Sequence, residues 1–510
     1  MLKISEEKHV TILSIIIILI TLTFLSSILA LVSISDILDP LPPSRFPRIT
    51  SRVLFFISVF LCGAIFLAGK KLFNPIIKLS NLKIIIILFC ISIILSMPLL
   101  LLTDINPISD FGRYYSLAKA LNQNGDIDSP FYVASFPHII IFPSILSIIF
   151  RLFGSSVLIA QLTGIVFSSL SVVLVFLIGI QLADKQHAFF SAILWLFMPT
   201  RIFFTLLIST ENVFNAFALF TIFLFLKAVH SNHLKTSIIY FIMTGILFAF
   251  VTALRPNGLI ILIACLLLYL FFFEQDERLI FYCKPILKYL VCIIIIIMFL
   301  LMTSFINFTV EKIINMDTAT NRLGWNFFIG MNKDSKGSWN TEDNTFFREL
   351  LNEKGPIQTQ IIFFSFGLER LDNLIKNKEL IPLLISKTTN MWYANRDGFD
   401  LVSWGQEKNL YQQIDLYKNH KYFITVSNGY YYVTILLSLI SLAKAITHKE
   451  WNAITILSCL IILGTVALQL PFEVQMRYKN HALIWLGFLA AECRIPILKL
   501  FESSTKNLNL

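Results

Sequence analysis

Charge is scarce in this 510-residue chain: Asp, Glu, Lys and Arg together make up 14% of it, against 56% apolar residues. Soluble domains carry roughly a quarter charged residues, so no water-soluble fold accounts for this composition. Period-2 alternation is missing as well. Strands of a membrane barrel alternate lipid-facing and lumen-facing residues, and the Ile-, Leu- and Phe-rich runs here do not. Cysteine is sparse and placed wrongly for cross-links. The seven cysteines (Cys62, Cys90, Cys265, Cys283, Cys292, Cys459 and Cys493) lie inside or beside apolar runs, which argues against disulfides and a thiolate metal site. The first run, 10–31, follows Lys3 and Lys8 but is too long for a signal-peptide core and lacks a small-residue cleavage site, so it reads as a retained helix. The net charge of +10 is not gathered into a basic stripe with aromatic partners, so nucleic acid is not expected. No inverted internal repeat of the transporter kind is found.

What is present is a series of apolar runs of the length that crosses a hydrocarbon core of about 30 Å at 1.5 Å per residue. Backbone groups in lipid must be satisfied internally, so these runs are expected as helices. They fall at 10–31, 51–69, 83–103, 156–181, 187–205, 211–228, 237–253, 258–273, 288–308, 430–447, 452–470 and 481–497. The fold class is therefore an all-α polytopic membrane protein with about 12 transmembrane helices. A further apolar stretch, 138–153, is short and carries Pro143. If it does not span, one side collects Lys70, Lys71, Lys78, Lys227, Lys235, Arg278, Lys284, Lys444, Lys449, Arg494, Lys499 and Lys506. The positive-inside rule favours that arrangement. The stretch is accordingly expected as an interfacial or re-entrant helix, with both termini cytoplasmic. Two long polar regions then face outward, 103–155 and 309–429. The second holds turn-forming stretches at 324–330 and 332–340 and an amphipathic stretch at 357–384 suited to the membrane surface.

Charge at the outward ends of spans marks the candidates for chemistry. Asp110 follows a span and precedes a helical pattern; a partly desolvated carboxylate there can take a proton from a hydroxyl, and it can equally serve as an N-cap with Ser109. Asp104 is a weaker candidate of the same kind. His138 follows Phe136-Pro137 and is suited to a substrate, a metal or a structural role. Glu211, in Ser209-Thr210-Glu211-Asn212, is a carboxylate at membrane depth, a functional candidate or the cap of its helix. Arg255 and Arg477 occupy two other outward turns, where a guanidinium fork fits a phosphate oxygen pair or simply snorkels. Little charge lies mid-span, which fits work on a lipid-linked anion better than an ion pathway.

These residues resemble the polytopic glycosyltransferases of the C superfold, especially protein O-mannosyltransferase-like and aminoarabinose-transferase-like enzymes. The resemblance rests on Ser109-Asp110 with Tyr114 and Ala118 after a span, Phe136-Pro137-His138, Phe153-Gly154, Pro199 with Thr210-Glu211, Arg255-Pro256, the run 324–332 ending in Asn332, Gly337-Ser338-Trp339-Asn340, and Arg477-Tyr478. It implies a polyprenyl-phosphate-linked sugar donor, a hydroxyl-bearing acceptor, transfer on the outer face and inversion at the anomeric carbon. It further implies Asp110 as general base with Glu211 beside it in the catalytic group, and Tyr114, His138, Arg255, Asn332, Arg477 and Tyr478 as substrate-binding residues. Two departures stand out. Two extra spans come before the one that leads into the catalytic loop, and Phe111 stands where many relatives carry a second acid. No metal site is carried over, and a divalent metal is left open.

The expected organisation is two extra spans in 1–82, a glycosyltransferase module in 83–308 with its catalytic outer loop at 103–155, an outer region at 309–429, and three spans with a cytoplasmic tail in 430–510. The expected function is an inverting transfer of a sugar from a polyprenyl phosphate to a cell-envelope glycan, lipid or protein. Alternatives are a transporter or flippase of a lipid-linked saccharide, or a glycan polymerase or ligase. Richness in Ile, Lys, Asn and Phe points to an AT-rich bacterial genome and a multi-pass plasma-membrane protein.

Overall fold

The computed structural model describes residues 8–38, 73–273, 285–320, 323–405 and 416–493, together with positions 59 and 63. The expected second span at 51–69 lies almost wholly outside the described residues, as do Lys70, Lys71, Arg278, Lys284, Arg494, Lys499, Lys506 and the end of the last expected span. The rest is helical throughout its regular structure, an all-α polytopic membrane protein. Among the described residues seven helices are long and apolar enough to cross a membrane: His9–Ala30, Asn81–Leu102, Val157–Leu182, Thr210–Val229, Leu234–Leu254, Ile286–Ile314 and Tyr422–His448. Gly258–Phe272 and Ala453–Gln469 are apolar but shorter, and Asn480–Ala491 has 12 residues.

Burial sorts these helices into an inner and an outer set. Thr210–Val229 is 78% buried over its most apolar window and Val157–Leu182 67%, whereas Ile286–Ile314 is 17% buried, so the first two are core and the last presents its sides outward. Val157–Leu182 packs on Asn81–Leu102 on one side and on Thr210–Val229 on the other. Leu234–Leu254 follows, with Pro285–Ile314 against it. Asn480–Ala491 packs on Leu416–His448, Lys185–Leu196 and Ala453–Gln469, and Ala453–Gln469 also on Gly258–Leu267.

The run expected as one span at 187–205 is broken. A helix over Lys185–Leu196 ends at Phe197, and a short one restarts at Pro199 and runs to Phe204. Proline disfavours a helical residue before it and has no N–H to continue the ladder. The break is filled by Arg201, 1% exposed, whose Nε and Nη2 donate to Leu196 O at 3.2 and 2.7 Å while Nη1 donates to Ser92 and Ser168 Oγ at 2.9 and 2.8 Å. A buried guanidinium is tolerated there because the helix-end carbonyl of Leu196 and two hydroxyls take its protons.

Residues 103–155 are mostly helical, and the expected amphipathic helix after Asp110 is present. An amphipathic helix, Ser109–Gln123, packs along Ile141–Phe153, with Pro130–Ser135 and a 3-10 turn, Pro137–Ile140, between them. The 13 residues of Ile141–Phe153 reach about 20 Å, short of the hydrocarbon core. Within 309–429 the stretch 324–330, expected as a turn, is a helix: its glycines flank Trp325, Phe327, Phe328 and Ile329, which are buried. A Cβ at Gly324 would fall 1.8 Å from Gln360 O, so glycine lets this helix touch the backbone of Thr341–Lys376. That long helix is kinked at Gly355, φ 75°, just before Pro356. The expected turn at 332–340 is one, and the amphipathic stretch continues through Leu380–Trp392.

Candidate functional site

Four elements bring their ends to one place. The helix Leu234–Leu254 stops because Arg255 precedes Pro256 and takes an extended conformation, φ −154° and ψ 133°. Its side chain swings onto Glu211, in the first turn of Thr210–Val229, with Nη1 2.5 Å from Oε1. The carboxylate also gains from the positive end of that helix. Neither acid acts as the N-cap the sequence allowed. Ser209 precedes Glu211 with no side-chain cap, and Ile108 holds the cap position ahead of Asp110.

Asp110 instead accepts a hydrogen bond from Arg477 Nη2 at 2.8 Å, across 367 residues of sequence. Arg477 lies in the 3-10 turn Met476–Lys479 before the last helix. It is aimed by its neighbours: Nε donates to Gln475 Oε1 at 2.8 Å, and Gln475 Nε2 donates to Glu473 Oε1 at 2.6 Å. Glu473 and Gln475 precede the turn in non-helical backbone, and the two hydrogen bonds string residues 473, 475 and 477 together. The segment is fastened from outside by Glu473 N–H to Asn326 O at 2.8 Å and Val474 N–H to Gly337 O at 2.9 Å. Lys387 Nζ bridges Gly330 O and Leu470 O at 2.9 and 2.6 Å, and Lys479 Nζ donates to Met391 O and Ala394 O, each at 2.6 Å.

Exposure separates the two acids. The Asp110 side chain remains 36% exposed, whereas that of Glu211 is 3% exposed beneath Arg255, itself at 15%. An incoming molecule can therefore touch Asp110 and not Glu211. Burial pushes the Asp110 carboxyl up, but the Arg477 charge and hydrogen bond, with Arg113 and His138 behind them, hold it below the usual carboxylate range. His138 is driven down to about 4 by burial and by Arg255, against the pull of Asp110, so it is neutral at physiological pH. The Tyr114 hydroxyl is pushed up by burial and by Asp110 and keeps its proton; its ring stands edge-on to Phe142, centroids 5.7 Å apart. Tyr478 is raised in the same way by burial and by Glu473, and its ring lies 5.7 Å from the Arg255 guanidinium and 5.8 Å from that of Arg477.

The structure thus gathers Asp110, Tyr114, His138, Glu211, Arg255, Arg477 and Tyr478. Asn332 is engaged elsewhere: Oδ1 accepts from the N–H groups of Asp334 and Ser335 at 2.9 and 3.1 Å, and Nδ2 donates to Asp343 Oδ2 at 2.7 Å. Asp343 in turn holds Arg370 at 2.8 Å. The sequence reading missed Arg113, whose guanidinium lies 4.0 Å from the Tyr132 ring centroid, and the Glu473–Gln475 arm. The i, i+2, i+4 spacing of Glu473, Gln475 and Arg477 was the available signal. Among the described residues no group of three or more His, Cys, Asp and Glu side chains is placed to hold a metal ion. Both acids of the site are instead met by guanidinium groups.

Residues 137–302, about a third of the chain, match the family model described as dolichyl-phosphate-mannose-protein mannosyltransferase. The matched stretch contains His138, Glu211 and Arg255. A comparison with curated proteins returned no match. Among solved structures, similarity is found to the oligosaccharyltransferase of Archaeoglobus fulgidus in its apo form, at 12% identity and a TM-score of 0.46, over 84% of this chain and 52% of that one. ArnT from Cupriavidus metallidurans bound to undecaprenyl phosphate matches at 13% identity and a TM-score of 0.31, over 80% of this chain and 76% of that one. The chain thus spans about half the length of the archaeal enzyme.

Proposed function

We propose that the chain is an inverting glycosyltransferase that moves a sugar from a polyprenyl-phosphate donor to a hydroxyl acceptor. The observation that carries this reading is the accessible Asp110 carboxylate held by Arg477 beside the Arg255–Glu211 pair. The mannosyltransferase family match over 137–302 supports the donor class, since dolichyl phosphate is a polyprenyl phosphate.

The chemistry follows from the charges. The acceptor oxygen attacks the anomeric carbon while its proton passes to Asp110; the bond from that carbon to the phosphate oxygen breaks, and its electron pair leaves on the lipid phosphate. One displacement inverts the centre. Charge builds on the departing phosphate, and a guanidinium placed there stabilises it without reorganising. Arg255 and Arg477 carry more N–H donors than their contacts to Glu211, Asp110 and Gln475 use, so both can reach phosphate oxygens. When the phosphate draws on Arg477, Asp110 loses part of its countercharge and becomes the stronger base. Glu211, out of reach of the acceptor, is assigned as the positioning group of Arg255 rather than a reacting one. Tyr114 and neutral His138 line the acceptor side.

We place this cluster on the outer face, with both termini cytoplasmic. Lys78, Lys227, Lys235, Lys444 and Lys449 then all lie on the inner side, as the positive-inside rule favours. The membrane would be a bacterial plasma membrane.

Asp110→Asn is the test. Loss of a general base lowers turnover by about 10²- to 10⁴-fold, so transfer from a polyprenyl-phosphate hexose should fall by that amount while the protein still inserts and binds the lipid. Turnover at the wild-type rate would sink the assignment.

A further inference from the structure

Arg477 divides one edge between two partners. In a guanidinium, Nε–H and one N–H of Nη2 point the same way and together form an edge that takes both oxygens of a carboxylate side-on. Here Nη2 donates to Asp110 Oδ2 at 2.8 Å, while Nε donates to Gln475 Oε1, also at 2.8 Å. Asp110 is thus tied through one oxygen, and among the described residues nothing donates a hydrogen bond to its Oδ1. The division is fixed by the chemistry of the three side chains. An arginine can only donate, so the Gln475 amide must turn its oxygen to Nε, and its Nε2 then needs an acceptor of its own. Glu473 supplies one at 2.6 Å; it is 7% exposed and its backbone N–H is held by Asn326 O at 2.8 Å. An amide satisfied at both ends in one orientation only does not turn over.

The other groups near Asp110 leave this arrangement undisturbed. Arg113 and His138 act on its charge through space, as does Glu473 with the opposite sign. Arg113 is turned to the Tyr132 ring, 4.0 Å from the centroid. The hydroxyls of Tyr114, Tyr132 and Tyr478 are all raised by burial and keep their protons. Each hydrogen bond to the ionised form of a carboxylate lowers it and makes it a weaker base. With Nε uncommitted, Asp110 would close the fork with its second oxygen, and one cation would hold both.

We propose that Gln475, oriented by Glu473, is a positioning residue that keeps the Arg477 fork open, so that Asp110 is pinned through Oδ2 while Oδ1 stays available for the acceptor proton. The inference rests on the reading of Asp110 as the general base, and the test separates the two by titrating the carboxylate without turnover. A water-soluble carbodiimide reacts with the protonated acid, so above the titration of Asp110 its labelling rate at one pH follows the protonated fraction. The purified full chain in nanodiscs is labelled at about pH 5.5. Modification of Asp110 is followed by peptide mass spectrometry against Glu353, whose side chain is 65% exposed, as internal reference. Gln475→Met removes the acceptor on Nε and should slow Asp110 labelling by at least about threefold, whereas Arg477→Gln should speed it. Glu473→Met releases the amide to turn and should also slow labelling; Glu473→Gln, which keeps an oxygen for Nε2, should recover most of the wild-type rate. In an Arg477→Gln background there is no fork to close, and Gln475→Met should add nothing. Labelling unchanged in both methionine variants, or faster because Arg477 has been loosened, overturns the proposal, as does an effect that persists without Arg477. Wild-type turnover by Asp110→Asn would instead remove the base, and with it the purpose of the split, whatever the labelling shows.

Discussion

Replacing Arg477 by glutamine removes the charge that keeps Asp110 acidic while leaving the burial that opposes it. An opposite charge at hydrogen-bond distance lowers a carboxylate by about one to three units. The Asp110 side chain is 36% exposed, so solvent screens part of this attraction, and the rest holds the carboxyl below its ordinary range. In the wild type the base is ionised at every pH above the ordinary carboxylate value of about 3.9, so kcat/KM should be flat on its acid side down to about pH 4. In Arg477→Gln burial is left unopposed by that charge, the carboxyl rises, and an acid limb should appear within the assayed range where the wild type has none. The assay is transfer from a polyprenyl-phosphate hexose in nanodiscs between pH 4 and 8, with log kcat/KM plotted against pH. Weaker phosphate binding will lower the whole curve, so the informative feature is its shape. A variant profile parallel to the wild type would refute the coupling of Arg477 to Asp110. The double variant Asp110→Asn/Arg477→Gln should lack the new limb.

Two further predictions concern the scaffold. Asn332→Ala should destabilise the protein by about 1–3 kcal/mol in thermal or denaturant unfolding, because it strips two backbone N–H groups and Asp343 of a partner; an unchanged melting temperature with a raised KM for donor would return Asn332 to the substrate. Lys387 is brought down to about 7 by burial, against the pull of Glu473. Between that value and its ordinary 10.5 the unfolded chain holds a proton that the folded chain does not. Wild-type stability should therefore rise with pH from about 7 to 10, by up to about 1.4 kcal/mol per unit. Melts of Lys387→Met should be flatter over the same range, and identical slopes would remove Lys387 from that role.

The bundle was legible because apolar runs of spanning length have one structural outlet in lipid. The site was legible for a related reason: a charge that survives at the end of such a run is conspicuous, and Asp110, Glu211, Arg255 and Arg477 all stand in that setting. What the sequence concealed was pairing. A carboxylate at a helix start looks like a cap, and only tertiary contact sends Asp110 to a guanidinium 367 residues away. Asn215 and Asn480 look like polar blemishes in apolar helices, with no spacing to join them. Lys387 sits in an amphipathic helix where a lysine ordinarily faces water, yet it is 1% exposed. The 324–330 helix was hidden by glycines that serve close packing rather than a turn. The broken run at 187–205 carried its warning in Pro199, outweighed in the reading by the hydrophobicity around it.

The stitching of residues 470–479 to the segment 326–394 bears on how such a protein can be altered. The loop that carries Arg477 takes its register from Asn326, Gly337, Lys387, Met391 and Ala394, none of which belongs to the bundle proper. The segment 324–394 and this loop therefore form one structural block. A chimera that exchanges 324–394 for the corresponding part of a relative would detune Arg477 unless 470–479 travels with it. The aim of Arg477 at Asp110 is in this architecture set as much by a segment some eighty residues upstream as by the helix that follows the turn.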